Sequence, residues 1–461
     1  MEQKRKDRFT ENLSFFYTKE ILHMETMLAK LKQRIKHSSP PRLLAIGFAL
    51  VILTGTILLM LPISVREGAH VSFVDALFTS TSAVCVTGLI AIDTADHFTT
   101  FGCTVVAALI QIGGLGVTCV GVSLILAAGK RVSFKTRKLI KESWNVDSYG
   151  GLVRLVKSVL KLTLFFELIG AFLSFLVFVQ DYTVPHAIGI SLFHSIAAFN
   201  NSGFDILGGL QNLIPYRDDV LMNLVTTGLI IFGGIGFLVI MDVKKKRCFR
   251  KLTLHSKVVI TMSALLILIG TVALKCTEDI TWMGAYFHSV SARTAGFSTY
   301  SLGEFTNAGL FVLVLLMFIG ASPGSTGGGI KTSTLFVMCN VIRSVIFNKH
   351  HTAFRRRIAD SVIMQAFVVT LLSFCIVAIS TFLLCVLEPE YSFMQLLFES
   401  VSGFGTVGLS TGITSHLGDA AQIVLVATMF IGRLGALTIA TLGNFKEPSE
   451  VSYTTENITI G

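Results

Sequence analysis

The residues from which chemistry is to be expected lie in four short stretches, FTSTSAVCVTG (78–88), FHSIAAFNNSG (193–203), FHSVSARTAG (287–296) and FESVSGFGTVG (398–408). Each has a Phe, a Ser two residues on, a small or polar run and a closing glycine; the third is one residue shorter. Gly88, Gly203, Gly296 and Gly408 follow one another at intervals of 115, 93 and 112 residues. Rings of backbone carbonyls replace the hydration shell of an alkali cation in a selectivity filter. Glycine suits such a loop, because it accepts positive φ and adds no Cβ at a crowded axis. Short helices ending there would aim their partly negative C-terminal ends at the ion, which favours a cation. The expected filter is Val86, Thr87, Gly88; Asn201, Ser202, Gly203; Thr294, Ala295, Gly296; and Thr406, Val407, Gly408, holding a cation by main-chain oxygen. Four unequal tripeptides predict looser selectivity than four identical ones.

The elements that must position these loops are membrane helices. The 461 residues are 52% hydrophobic and 14% charged, against about a quarter charged in soluble chains. Apolar runs such as 43–61 and 361–387 reach the roughly 20 residues that a crossing requires. The apolar lead into each glycine is too short to cross, and non-helical backbone at that depth is tolerated only inside protein or along a water-filled path. The expected fold is therefore an all-α polytopic membrane protein, with four covalently linked helix–pore-helix–helix repeats around a central pore. The expected segments are 41–130, 150–245, 255–348 and 360–445, flanked by a cytoplasmic or interfacial N-terminal segment, 1–40, and a cytoplasmic tail, 446–461. Gly113, Gly233, Gly320 and Gly432 mark the second long helix of each repeat, 25, 30, 24 and 24 residues past the closing glycines. Glycine there lets backbones approach closely.

Charge orients the chain. Basic segments (1–42, 129–161, 241–257, 342–360) alternate with stretches that together hold four Lys/Arg (66, 217, 275, 293) against fifteen Asp/Glu. The positive-inside rule makes the basic segments, and with them both termini, cytoplasmic, and an acidic outer face concentrates cations. The net charge of +10 is thus accounted for without nucleic acid. Residues 1–40 contain no apolar core of the secretory-signal type. The eight cysteines show no C-x-x-C pair, so neither zinc nor a disulfide framework is expected, and most read as small packing residues.

With FNNSGF, ARTAGF and FGTVGLS beside VCVTGL, the chain resembles the Trk/Ktr/HKT superfamily of potassium-translocating subunits over nearly all of 41–445. Within it the chain is similar to the Ktr-type membrane subunit, because one helix alone precedes the first short segment. The resemblance implies a potassium filter at the four glycines, and Gly88 argues for potassium because members with serine there tend toward sodium. It also implies a homodimer in the plasma membrane of a bacterial cell, on an octameric cytoplasmic ring of nucleotide-binding (RCK-type) regulatory subunits, with membrane lipid as the other partner. No cofactor is expected in the chain; K+ is the cargo, with Na+ a candidate coupling or activating ion.

ASPGSTGGGIKT (321–332) interrupts the apolar run of the third repeat. Three successive glycines cost near 1 kcal/mol each in a helix, so the chain is expected to open there into an intramembrane loop. The resemblance implies a gate under the filter, formed by Gly324, Ser325, Thr326, Gly327, Gly328, Gly329 and Lys331. A helix kink is the competing reading; a phosphate-binding loop would need Gly-Lys adjacent, but Ile330 intervenes. Arg433, read as mid-way along the last spanning helix, is costly in a membrane. It is expected either to bond the carbonyls of 321–329 and set a positive charge below the filter, or to pair with Glu167. Asp205 is expected to attract cations at the outer mouth or to cap a helix. Arg293 and Glu399 are expected to pair or to bond backbone or water, and His194 and His288 to pack or hydrogen-bond rather than to relay protons. Apart from Glu167, Lys331 and Arg433 the long helices carry almost no ionisable group, which argues against an enzyme. The alternative within transport is a sodium-permeable or poorly selective cation channel.

Overall fold

The computed structural model describes residues 40–129, 132–143 and 150–440. Most of the segment 1–40 and all of the tail 446–461 lie outside the described residues. By backbone contacts, 44–440 forms one compact unit.

Four first helices are long and apolar: α1 (Pro40–Leu59), α5 (Leu152–Phe178), α9 (Leu254–Thr277) and α13 (Asp360–Leu387). Each precedes a short helix: α2 (Phe73–Cys85), α6 (Val184–Phe199), α10 (Trp282–Ser291) and α14 (Phe393–Gly405). The short helices start where a hydroxyl can satisfy free N–H groups. Ser72 accepts from Asp75 N while the Asp75 carboxylate accepts from Ser72 N, and Ser392 with Gln395 repeats the arrangement; Thr281 caps α10 and Pro185 opens α6. Such caps are worth about 1 kcal/mol each.

Among the described residues no second helix is continuous; the interruption read from the sequence in the third repeat has counterparts in the other three. The first is α3 (Thr100–Leu115) followed by α4 (Val117–Ala127), and the second is α7 (Val220–Gly234) followed by α8 (Phe237–Lys246). The two pairs bend by 98° and 93°. The third is α11 (Asn307–Phe318), an irregular stretch and α12 (Thr332–Ile346); the fourth is α15 (Asp419–Leu434) and α16 (Ala436–Ala440). Among the described residues four helices are long and apolar enough to cross a membrane, or up to six if each bent pair is one span. A two-stranded hairpin, β1 (Thr352–Ala353) with β2 (Arg356–Arg357), links the third and fourth repeats.

The serine of each Phe-x-Ser motif locks the short helix to its first helix. Ser80, Ser195, Ser289 and Ser400 donate their hydroxyls to the carbonyls of Ile52, Glu167, Ile267 and Val377, at 2.7, 2.6, 2.8 and 3.3 Å. Three residues beyond each acceptor stand Gly55, Gly170, Gly270 and Ser380. A Cβ on any of those glycines would collide with the serine hydroxyl. In the fourth repeat, where that position carries a side chain, the bond is the longest of the four. The Phe of each motif is buried at the centre of this packing.

The second half of each repeat then packs on its successor. α3 lies on α6, α7 on α10, α11 on α14, and α15 returns to α2. The four repeats thus close into a ring.

Candidate functional site

All twelve expected filter residues are buried at the centre of this ring. In each loop the first residue and the glycine take positive φ: Val86 58° and Gly88 91°, Asn201 59° and Gly203 71°, Thr294 82° and Gly296 77°, Thr406 50° and Gly408 94°. Left-handed backbone is disfavoured for non-glycine residues, by roughly 1–2 kcal/mol. Four independent occurrences at the same position mark a geometry imposed by the surrounding fold.

The loops touch in a fixed cyclic order. A Cβ on Gly88 would overlap the Ser202 carbonyl oxygen; on Gly203, that of Ala295; on Gly296, that of Val407; on Gly408, that of Thr87. Each glycine therefore rests against the carbonyl just before the next repeat's glycine, so a side chain at any of the four would force that neighbouring backbone to shift. Ser82 and Ser402 accept from the N–H of Gly88 and Gly408, both at 3.0 Å. Ser82 and Ser291 also donate to the carbonyls of Leu89 and Phe297, just beyond the filter. The second repeat has Ala197 at this position. There Asn212 serves instead: it donates to the Gly203 carbonyl at 3.1 Å and accepts from Ser298 N at 3.0 Å, joining the second and third loops.

On one side of the ring a cavity of about 180 Å³ is lined by Gly88, Gly296, Gly408, Asn212 and Thr411. On the other a cavity of about 240 Å³ is lined by Gly324, Ser325, Gly327, Lys331, Arg433 and Gly114. Residues 319–331 lie between α11 and α12 as an open loop, which excludes the plain kink. Its backbone is partly satisfied by the broken second repeat: Ser322 N and Thr326 N donate to the Gly234 and Gly233 carbonyls, and Phe237 N donates to Gly324 O. Gly328 N donates to the Thr406 hydroxyl at 2.9 Å, and the Asn201 side-chain amide lies 3.3 Å from the hydroxyls of both Thr294 and Thr326. The loop thus sits directly against the first residues of three filter loops. The Lys331 ammonium donates to Gly327 O at 2.6 Å and to Gly328 O at 3.3 Å.

Arg433 is in the last turn of α15, not mid-way along a continuous span. Its two Nη groups donate to the carbonyls of Thr326 and Gly113. Among the described residues it makes no ion pair with Glu167, whose carboxylate instead accepts from Asn200 at 3.2 Å. The guanidinium tethers the loop to the first repeat's second helix.

Gly113, Gly233 and Gly432 have one function in common. A Cβ on each would overlap the carbonyl oxygen of Val84, Phe199 or Phe404, at the end of the preceding short helix. Three residues on, Gly116, Gly236 and Gly435 take φ of 83°, 94° and 89° and break the second helix. The spacing of the first three glycines was legible; that the G-x-x-G pattern of IGGLG, FGGIG and IGRLG encodes a break was missed. Gly320 differs, since a Cβ on it would overlap Gly328 O of its own loop.

The remaining candidates separate. Among the described residues Arg293 and Glu399 do not pair. Glu399 accepts from the hydroxyls of Ser410, Thr411 and Thr414 and from Thr411 N, so it ties down the chain beyond Gly408. Arg293 donates weakly to Ser263 O at 3.4 Å. His194 meets the Thr226 hydroxyl at 3.0 Å, and His288 meets Gly284 O at 2.9 Å and the Ser298 hydroxyl at 3.1 Å. Asp205 caps a turn rather than a helix, accepting from Leu207 N at 3.0 Å. Burial, together with the charges of Asp93 and Asp96, raises its pKa to about 7 against the backbone hydrogen bond from Leu207. All eight cysteines are free, and four of them (248, 276, 339, 375) are exposed rather than packed.

The chain is similar to known proteins over most of its length. The family model for TrkH, described as a cation transport protein, matches residues 15–454. The chain is 39% identical to the Ktr system potassium uptake protein B of Bacillus subtilis, over 90% of this chain and 95% of the relative. It is 36% identical to the potassium/sodium uptake protein NtpJ of Enterococcus hirae, over 91% and 98%. Its fold is similar to the crystal structure of the potassium transporter TrkH from Vibrio parahaemolyticus, with a TM-score of 0.67 and 19% identity over 86% of this chain and 84% of that one.

Proposed function

The chain belongs to the TrkH family of cation transport proteins, a family of multi-pass membrane transporters and not of enzymes, and from that premise we propose that it is the ion-translocating subunit of a Ktr-type potassium uptake system. The observation that carries the proposal is the closed ring of four glycine loops, each bearing two positive-φ residues and each seated on the next. Backbone of alternating handedness turns successive carbonyls to one side, which is how a loop offers several oxygens to one dehydrated cation. Fixed carbonyl dipoles need no reorganisation when the ion arrives, and the pore-helix C-termini add partial negative charge. Potassium itself is supported by the uptake activities named for the relatives.

The 321–329 loop acts as the gate. With Gly328 and the Asn201–Thr326 contact against the filter's first residues, it occludes the inner path, and Arg433 adds a positive charge beside the ion's exit. Displacing it costs the charge-assisted bonds of Arg433 and Lys331, worth about 1.5–3 kcal/mol each. A nucleotide-binding cytoplasmic regulator acting on a homodimer would supply that energy, a partner being implied by the word 'system' in the name of the Bacillus subtilis relative, and both termini would lie inside a bacterial plasma membrane. The units 41–130, 150–245, 255–348 and 360–445 are the four quarters of this pore.

Expression in a bacterium lacking potassium uptake tests the proposal. Growth at limiting potassium is expected with a co-expressed regulatory subunit; no growth in either arrangement, despite membrane insertion, would overturn it. The unequal filter and the potassium/sodium activity named for the Enterococcus relative favour a second reading, sodium permeation. Gly88→Ser is expected to raise the sodium-to-potassium flux ratio, and a wild type that already conducts both equally would favour that second reading.

A further inference from the structure

A third cavity, of about 610 Å³, lies away from the pore between α9, α12 and the β1–β2 hairpin. Its walls are Met262 and Leu265 of α9 and Phe336 and Cys339 of α12; Arg343 and Arg355 stand at its rim. The apolar walls continue outward as exposed side chains, Leu265, Leu268 and Ile269 on one helix and Ile342, Val345 and Ile346 on the other. In a membrane protein such a face meets hydrocarbon, so the cavity is a slot open to acyl chains with two cations at its end.

Two observations give that end a ligand, and the hairpin geometry places Arg355 there. Among the described residues neither Arg343 nor Arg355 has a carboxylate partner; Arg357, which does, pairs with Asp360 at 3.5 Å. The Asn340 side chain donates to Thr352 O at 3.1 Å, yet its buried Oδ1 has no donor. The hairpin tip is strained: Phe354 and Arg355 have φ of 46° and 64°, in a two-residue turn that favours Asn-Gly. The Phe354 ring lies 6.4 Å from that of Phe249 and 5.9 Å from the Lys257 ammonium. The tip is thus held near the start of α9, with Arg355 at the cavity rim.

We propose that this cavity binds an anionic phospholipid bearing a free headgroup hydroxyl, of the phosphatidylglycerol type. Arg343 and Arg355 hold the phosphate, the Asn340 Oδ1 accepts from a glycerol hydroxyl, and an acyl chain lies between Leu265 and Phe336. Basic pockets between helices at the cytoplasmic side bind such headgroups, and paired guanidinium groups suit phosphate. The lipid would brace α12, which leads directly out of the 319–331 loop, so lipid composition becomes an input to the gate.

Cys339 gives a direct readout, with exposed Cys248 as internal control. The full-length protein is reconstituted in nanodiscs of phosphatidylcholine alone, or with phosphatidylglycerol or glycerol phosphate added, and maleimide labelling is timed. Phosphatidylglycerol is expected to slow labelling of Cys339 about tenfold relative to Cys248, as loss of access behind a charge-anchored ligand would give. Arg343→Gln with Arg355→Gln should abolish the slowing. Leu265→Trp, which fills the slot and keeps both arginines, should make Cys339 labelling insensitive to phosphatidylglycerol. Equal protection by phosphatidylcholine, equal protection by glycerol phosphate, protection unaffected by the arginine substitutions, or shielding of Cys339 that rises with protein concentration and reports a second copy would each overturn the proposal.

Discussion

The second helices of repeats 1, 2 and 4 and that of repeat 3 solve one problem in two ways. In the three, a glycine seats on the end of a pore helix and a second glycine, three residues later, breaks the helix at once. The backbone turns within a residue and resumes, so few polar groups are left open, and the bend is part of the packed body. In the third, Gly320 seats on its own loop, and the break extends over thirteen residues, 319–331, held by side chains of other repeats. A bend made of backbone against backbone cannot open without unpacking the pore helix. A loop held by removable hydrogen bonds can, which is why the proposed control point falls there.

The largest effect should come from adding one methyl group to each kind of seat. In Gly432→Ala the new Cβ overlaps the Phe404 carbonyl, and relieving it moves a pore helix, a cost on the order of 3 kcal/mol or more. Loss of folded protein by size-exclusion chromatography is expected. Gly320→Ala should instead displace the loop and leave the folded yield near wild type while altering ion flux; equal loss of folded protein in both variants would erase the distinction.

Arg433→Gln sharpens the same contrast. It removes charge-assisted bonds to Thr326 and Gly113, and unregulated potassium flux in proteoliposomes should rise about tenfold, the equivalent of roughly 1.4 kcal/mol. Unchanged flux at normal protein levels would show that the loop is as static as the three bends.

A smaller effect is expected at Asp205, two residues past the second filter glycine, if it stands at the outer mouth as proposed. Asp205, with its pKa raised to about 7 by burial and by Asp93 and Asp96, loses its negative charge as external pH falls through that value. Apparent potassium affinity should then weaken between pH 8 and pH 6, by about two- to threefold for one charge in partly screened surroundings. Asp205→Asn should start from the weaker affinity and show no such dependence.

Much was readable without the fold, because it is local or periodic. The membrane class follows from composition and run length. The four glycines follow from a repeated pattern, and the loop at 321–332 follows from residues that cannot hold a helix. The Phe-x-Ser motif was visible too, though its purpose was not, since the serine's acceptor lies 22 to 28 residues earlier on another helix.

What the tertiary structure alone decided is what each residue faces. Val86, Thr294 and Thr406 take left-handed backbone against their own preference, and Asn201, which tolerates it, takes it at the same position, because neighbouring loops hold them there. Arg433 turns to two carbonyls rather than to Glu167, and Glu399 to a cluster of hydroxyls rather than to Arg293. A sequence states which groups are expensive to bury. Which partner offsets that cost depends on which segments meet in space, and here that follows from the closing of four unequal repeats into one ring.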